Sequence, residues 1–194
     1  MFKSDNPKIN EFAQQSPDNM ARMILMVSLS IQQQWSGVGK AIEDVDAKGS
    51  NSAYLWGSKA TCYAYLQDNK DAIYSDAMAA TTDVELMIVF LRVPGLGLPK
   101  AGFTCQLWNG TVGCIDVHNL RRLSIPASTL TVSKTASPSA IEKRAAAYVT
   151  ACNNYSSEWL WNSWCELIAV KYPKKFTGVS HVSAVHYGYL VQGV

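Results

Sequence analysis

Charge is scarce in this sequence: only 16% of its 194 residues are Asp, Glu, Lys or Arg, against 48% hydrophobic residues. That balance excludes the highly charged, weakly hydrophobic composition of a disordered chain. The length suffices for one domain or two small ones whose core needs no disulfides. Long apolar runs are missing too. The longest, Ala21 to Ile31, is interrupted by Arg22 and two serines, well short of the roughly 18 consecutive apolar residues of a membrane span. The segment Met1 to Pro7 has no apolar h-region, so secretion is not expected. Five cysteines with gaps of 43, 9, 38 and 13 make no CxxC pair. Reduced thiols in a cytoplasmic-type compartment are expected, with no zinc ribbon, no iron–sulfur cluster and no other metal site.

The formal net charge of +2 hides an asymmetry. Residues 1–97 carry eight Lys and Arg against eleven Asp and Glu, whereas residues 98–194 carry nine against four. A basic half is the footprint of a surface that meets phosphate, although many proteins segregate charge to this degree.

Regular alternation is rare and helical spacing is common, which predicts an all-α protein. Ser16-Pro17 reads as a helix start ahead of Met20, Met23, Ile24, Val27 and Ile31, with proline at the first helical position. After a break at Trp35-Ser36-Gly37, an amphipathic stretch runs from Val38 to Lys48 and ends at Gly49, a cation followed by a C-cap glycine. The next cap is expected at Ser50 or Ser52, ahead of a run to Leu66, and a further helix at Asp71 to Ala80. Thr82 and Glu85 form a capping box, as do Ser139 and Glu142. Ser156 or Ser157 caps a segment bearing Trp159, Trp161 and Trp164, and Ser180 opens a last helix; Leu123 to Ala140 reads as a Ser/Thr/Pro-rich connector.

Chemistry concentrates between Val93 and Leu123. In V-P-G-L-G, Gly95 and Gly97 permit a tight turn between helices, with backbone N–H groups free to meet a phosphate at the next helix start. An ordinary helical connection would look the same in isolation. Nineteen residues beyond Gly97 lies Asp116, in I-D-V-H-N-L-R-R, where its carboxylate can cap a helix or face a cleft.

These two motifs, V-P-G-L-G-L-P-K and I-D-V-H, resemble those of the helix-hairpin-helix DNA glycosylases, the superfamily of endonuclease III, adenine glycosylase and 8-oxoguanine glycosylase. A third segment, Leu29-Ser30-Ile31-Gln32-Gln33-Gln34, is similar to the superfamily's L-S-x-Q stretch, and Lys40-Ala41 falls where those enzymes carry Lys-Ala. The resemblance covers residues 20–125. It implies a two-lobed helical bundle: a helical barrel over 20–125 with the hairpin at 93–107, and a second lobe from 1–19 and 126–194. It further implies a monomer, cytoplasmic or associated with a nucleoid or virion, that binds double-stranded DNA containing a damaged base, without membrane or cofactor. The D-V-H triplet leans toward the 8-oxoguanine branch.

The implied roles follow the chemistry of base excision. Breaking an N-glycosidic bond builds positive charge on the sugar, which an ionised Asp116 near C1′ would stabilise. The target base must leave the stack, so a residue such as Gln32, or its neighbour Gln33, is needed to fill the gap. The bifunctional enzymes add a lysine that forms a Schiff base, and it must be neutral part of the time. Here the chain departs from the pattern. The position two beyond the second hairpin glycine is Pro99, and Lys100 comes one later. One helical step turns a side chain by about 100°, so Lys100 either regains the pocket through an inserted residue or points away. Gly95, Gly97, Gln32, Gln33, Lys40, His118, Arg121 and Arg122 are the expected DNA contacts. Each also has a plainer reading: an ordinary helical connection for the glycines, exposed polar helix ends for the glutamines, a structural histidine for His118, surface cations for Lys40, Arg121 and Arg122. The rival functions are a non-catalytic DNA-binding or virion-associated protein of the same fold, and a helical structural protein.

Overall fold

The computed structural model of the protein describes residues 6–32, 37–133 and 135–171. Among them the chain is all-α, with no strand. Nine α-helices follow in order: α1 (Asn6–Ala13), α2 (Pro17–Leu29), α3 (Val38–Lys48), α4 (Ser58–Ala79), α5 (Asp83–Leu91), α6 (Leu98–Trp108), α7 (Val117–Arg122), α8 (Pro138–Asn153) and α9 (Ser157–Lys171). None of these helices is long and apolar enough to cross a membrane.

Most starts follow local capping chemistry. Ser16 accepts from the Asn19 N–H at 3.2 Å with Pro17 behind it, and the Thr82–Glu85 box is closed in both directions. Two expectations need correction. The Ser50/Ser52 cap does not open a helix: residues 49–51 form a 3-10 turn, Ser52 donates to Asp44 Oδ2 at 2.6 Å, and α4 begins only at Ser58 behind Gly57, whose φ is +54°. From there the two expected helices are one of 22 residues. In α8 the cap is Ser137, which accepts from the Ala140 N–H at 3.3 Å, rather than Ser139; Pro138 then takes the first helical position. The helix expected from Ser180 lies outside the described residues.

At the centre stands α6, packed against α1, α2, α5 and α8. Leu98 and every residue from Ala101 to Trp108 are buried, as befits a helix with no polar face. Its last carbonyls, which a helix cannot bond internally, are taken up by α1 and the residue just after it. Asn10 Nδ2 donates to Gln106 O at 3.1 Å and Leu107 O at 2.6 Å, and Gln14 Nε2 donates to Trp108 O at 2.5 Å. Ile9 and Phe12 of α1 and Tyr148 and Trp161 of α8 and α9 belong to the same buried core as α2 and α6. The described parts of 1–19 and 126–194 therefore contribute to one buried core with α2 and α6.

Candidate active site

The turn between α5 and α6 is set by its sequence. Pro94 and Gly95 occupy its middle, Gly95 at φ +87°, and the Leu96 N–H closes on Val93 O at 3.1 Å, the arrangement of a type II turn. Gly95 also presses on the start of α4: a Cβ there would lie 3.0 Å from Ser58 Cβ. Gly97, exposed, is the N-cap of α6, and nothing would meet a Cβ on it within 4 Å.

Three positions into α6, Lys100 is turned inward. Its Nζ donates to Ser30 Oγ, at the end of α2, at 2.8 Å, and lies 5.6 Å from the centre of the Phe103 ring. Ser30 spends its own proton on Val27 O at 2.6 Å. Its oxygen therefore only accepts, which leaves the lone pair of a neutral Lys100 amine unengaged by this partner. Burial pushes the Lys100 amine below the ordinary lysine range, against a weaker upward pull from Cys114 and Asp116. Burial also raises the Cys114 thiol to about 12. As a thiol carries no charge at neutral pH, Asp116 is the effective counter-charge there.

A stapled loop delivers Asp116. Between α6 and α7, the Cys114 N–H donates to Gln106 Oε1 at 3.0 Å, and Gln106 Nε2 donates to Ser157 O at 3.0 Å. The Ile115 N–H donates to Tyr148 Oη at 2.7 Å, and that hydroxyl donates to Gly113 O at 3.0 Å. Asn119 Nδ2 donates to Cys114 O at 2.8 Å. Gln106, Tyr148 and Asn119 are all buried, so the loop's polar groups find partners away from water. Two glycines make room: a Cβ on Gly102 would lie 2.5 Å from the Tyr148 ring, and one on Gly113 2.3 Å from Leu160 Cδ1.

Asp116 itself caps α7. Its Oδ1 accepts from the His118 and Asn119 N–H groups at 3.0 and 2.8 Å, and its Oδ2 accepts from Trp164 Nε1 at 2.8 Å. The capping alternative for this carboxylate is thus realised, and the residue is half-buried with Trp164 of α9 on its second oxygen. An aromatic wall links it to the lysine: Phe103 stacks on Trp161 at 5.6 Å between centroids, and Trp161 on Trp164 at 5.8 Å.

The other expected contacts scatter. Gln32 is exposed at φ +55°, a left-handed conformation that costs a non-glycine residue about 1–2 kcal/mol. Gln33 lies outside the described residues. Lys40 on α3 and Arg121 on α7 are exposed, and His118 is half-buried. Arg122 is committed internally: its guanidinium donates to Asn119 Oδ1 at 2.7 Å and lies 4.7 Å over the Trp159 ring, whose neighbour Tyr155 stacks on it at 5.0 Å. Lys59, Gln106 and Tyr148 carry no motif or spacing that marks them for the site in the sequence. No family model, curated protein or solved structure matches the chain.

Proposed function

We propose that the protein is a DNA glycosylase that excises a damaged base from double-stranded DNA, with Lys100 as nucleophile and Asp116 as the carboxylate that stabilises charge at the sugar. The observation that carries this reading is the convergence of a half-buried lysine, its amine held by an acceptor-only partner, and a carboxylate on one aromatic-walled site beside a turn whose Gly95 and Gly97 are exposed. In this reading the neutral amine attacks C1′ and the C1′–N bond breaks. The base leaves with the bonding pair and takes up a proton. The new ammonium loses a proton, and its lone pair then opens the sugar ring to an iminium, O4′ being protonated. Asp116 opposes the positive charge that develops on the sugar. Exposed Lys40 and Arg121 suit phosphate contacts, and exposed, left-handed Gln32 suits the gap left by the base.

One observation favours a second reading, a DNA-binding protein without the reaction. Both Asp116 oxygens already accept hydrogen bonds within the protein, as a purely structural cap would. Borohydride trapping on duplexes carrying oxidised bases or abasic sites separates the two. A covalent adduct lost in Lys100→Gln and weakened in Asp116→Asn is the expected result. Salt-sensitive DNA binding without base release or adduct on any duplex leaves the binding protein, and absence of binding removes both.

A further inference from the structure

One cation near the turn has no part in the chemistry above. Lys59, the second residue of α4, is only 2% exposed. Among the described residues no hydrogen bond or ion pair holds its Nζ; the ion pairs there use Arg22, Lys48, Lys70 and Arg92. A buried lysine without a partner is costly. The polar atoms shut off from solvent with no partner are Ser28 Oγ, Arg122 Nε and Asn162 Oδ1. The little exposure that Lys59 keeps therefore includes its amine, at the end of a buried stem. That amine lies 4.8 Å from the centre of the Trp56 ring. As Trp56 precedes α4 by two residues, the side chain is turned back toward the start of the helix, the direction in which helical side chains lean.

The helix start it reaches is bare. Gly57, the N-cap, has no side chain to offer the first N–H groups, and nothing would meet a Cβ on it within 4 Å. The Lys59 N–H turns back to Trp56 O at 3.1 Å and the Thr61 N–H to Gly57 O at 3.3 Å. The Ser58 and Ala60 N–H groups have no backbone acceptor among the described residues, as the opening of a helix dictates. No acidic residue stands in the first turn of these 22 residues, so the positive end of the helix dipole is uncompensated. Trp56, Gly57 and Ser58 are all exposed. They border the α5–α6 turn, where a Cβ on Gly95 would lie 3.0 Å from Ser58 Cβ.

We propose that the start of α4 is a phosphate-binding site, in which the Ser58 and Ala60 N–H groups and the Lys59 amine hold the oxyanion beside the Trp56 ring. One phosphate supplies both things this place lacks, acceptors for the free N–H groups and negative charge for the amine. The ring, 52% exposed, adds a surface for a base carried by the same phosphate. The phosphate is a diester of a nucleic-acid backbone or a free phosphate. The first source rests on the DNA reading above, and gives the strand an anchor next to the turn and separate from Lys100 and Asp116.

The test titrates the full 15N-labelled chain with inorganic phosphate at constant ionic strength, and measures binding of an undamaged duplex against salt. The amide signals of Ser58 and Ala60 are expected to shift and saturate with phosphate. In Lys59→Met the dissociation constant rises about tenfold, the scale of one hydrogen bond from a charged group. For the duplex, the slope of log affinity against log salt falls by about 0.9 in Lys59→Met, one phosphate contact. A fall in slope without a response to inorganic phosphate assigns the site to the DNA backbone alone. An amide response with the duplex slope unchanged, or with no duplex binding, upholds the site for free phosphate and removes DNA as its source. No amide response together with an unchanged slope overturns the site, whatever borohydride trapping shows. Should Lys59→Met fail to fold, Ser58→Asp decides, since a carboxylate in the first turn suits the helix and repels an anion. Wild-type response and slope in Ser58→Asp overturn the proposal.

Discussion

Tyr148→Phe removes one oxygen from the middle of the protein and should unseat the loop that carries Asp116. The ring stays, so no cavity opens. What is lost is the acceptor of the Ile115 N–H at 2.7 Å and the donor to Gly113 O at 3.0 Å. A buried polar group stripped of its partner costs about 1–3 kcal/mol. The amide loses its only partner, whereas Gly113 O keeps the Cys152 thiol at 3.4 Å, so the second loss belongs at the low end. Together the two come to about 3 kcal/mol, a fall in melting temperature of about 6–12 °C for a chain of this size. Urea unfolding is the assay, with an unchanged slope showing that the unfolded state is not the cause. Amide exchange supplies a local reading: protection at Ile115 should fall further than at α2 or α5. A loss below about 0.5 kcal/mol, or exchange at Ile115 as slow as before, would refute the claim that this hydroxyl holds the loop.

Gly95→Ala forces a side chain into a backbone at φ +87° and against Ser58; a loss of at least about 1–2 kcal/mol is expected. Gly97→Ala, with φ −82° and open space around it, should cost less than about 1 kcal/mol as an N-cap change, and thermal unfolding of the two side by side tests the contrast. Lys100→Met bears on pH. The folded protein holds the Lys100 proton less tightly than the unfolded chain does, so between the lowered folded value and the ordinary 10.5 the unfolded state binds more protons and stability rises with pH. Lys100→Met should therefore gain on the wild type at pH 6 and lose that advantage as pH rises through 10.5, read from urea midpoints; a constant difference would contradict it. Glu85 tests the opposite sign. Its carboxyl is held below the ordinary range by the Thr81 and Thr82 groups it accepts from, so its contribution is present above the ordinary value and is lost as pH falls through the folded one. Glu85→Gln should flatten the acid limb of the stability curve.

How far the sequence could be read depended on how local the stabilising contact is. Ser16-Pro17, Thr82 with Glu85, and Asp116 were legible because a cap bonds N–H groups two or three residues away. The helix α1 was not: Asn10 on it and Gln14 just past its end are fixed by carbonyls 94 to 97 residues distant. Ser52 looked like a cap and is used instead by Asp44 of the preceding helix. The polar stretch Gln67 to Lys70 looked like a gap, yet it continues α4 as a largely exposed face. The pair Lys100 and Asp116 was visible as residue types in a pattern. The staples that deliver them, Tyr148 and Gln106, were not, since one hydroxyl and one amide among apolar neighbours carry no periodic signal.

The register of Lys100 shows the same limit from the other side. A slip of one residue, about 100° of helix, would move a lysine from pocket to water only on a helix with a wet face. On α6 there is none over most of its length, because Leu98 and Ala101 to Trp108 are buried whichever way they point. The one-residue departure therefore exchanges one interior neighbour for another, and the neighbour Lys100 finds is the end of α2. That helix can serve because its chain stops being helical at Ser30, where the side chain turns back to Val27 O and leaves an acceptor facing inward. The inward lysine thus follows from the burial of α6 and the end of α2 together, a conjunction that spacing around the hairpin alone cannot express.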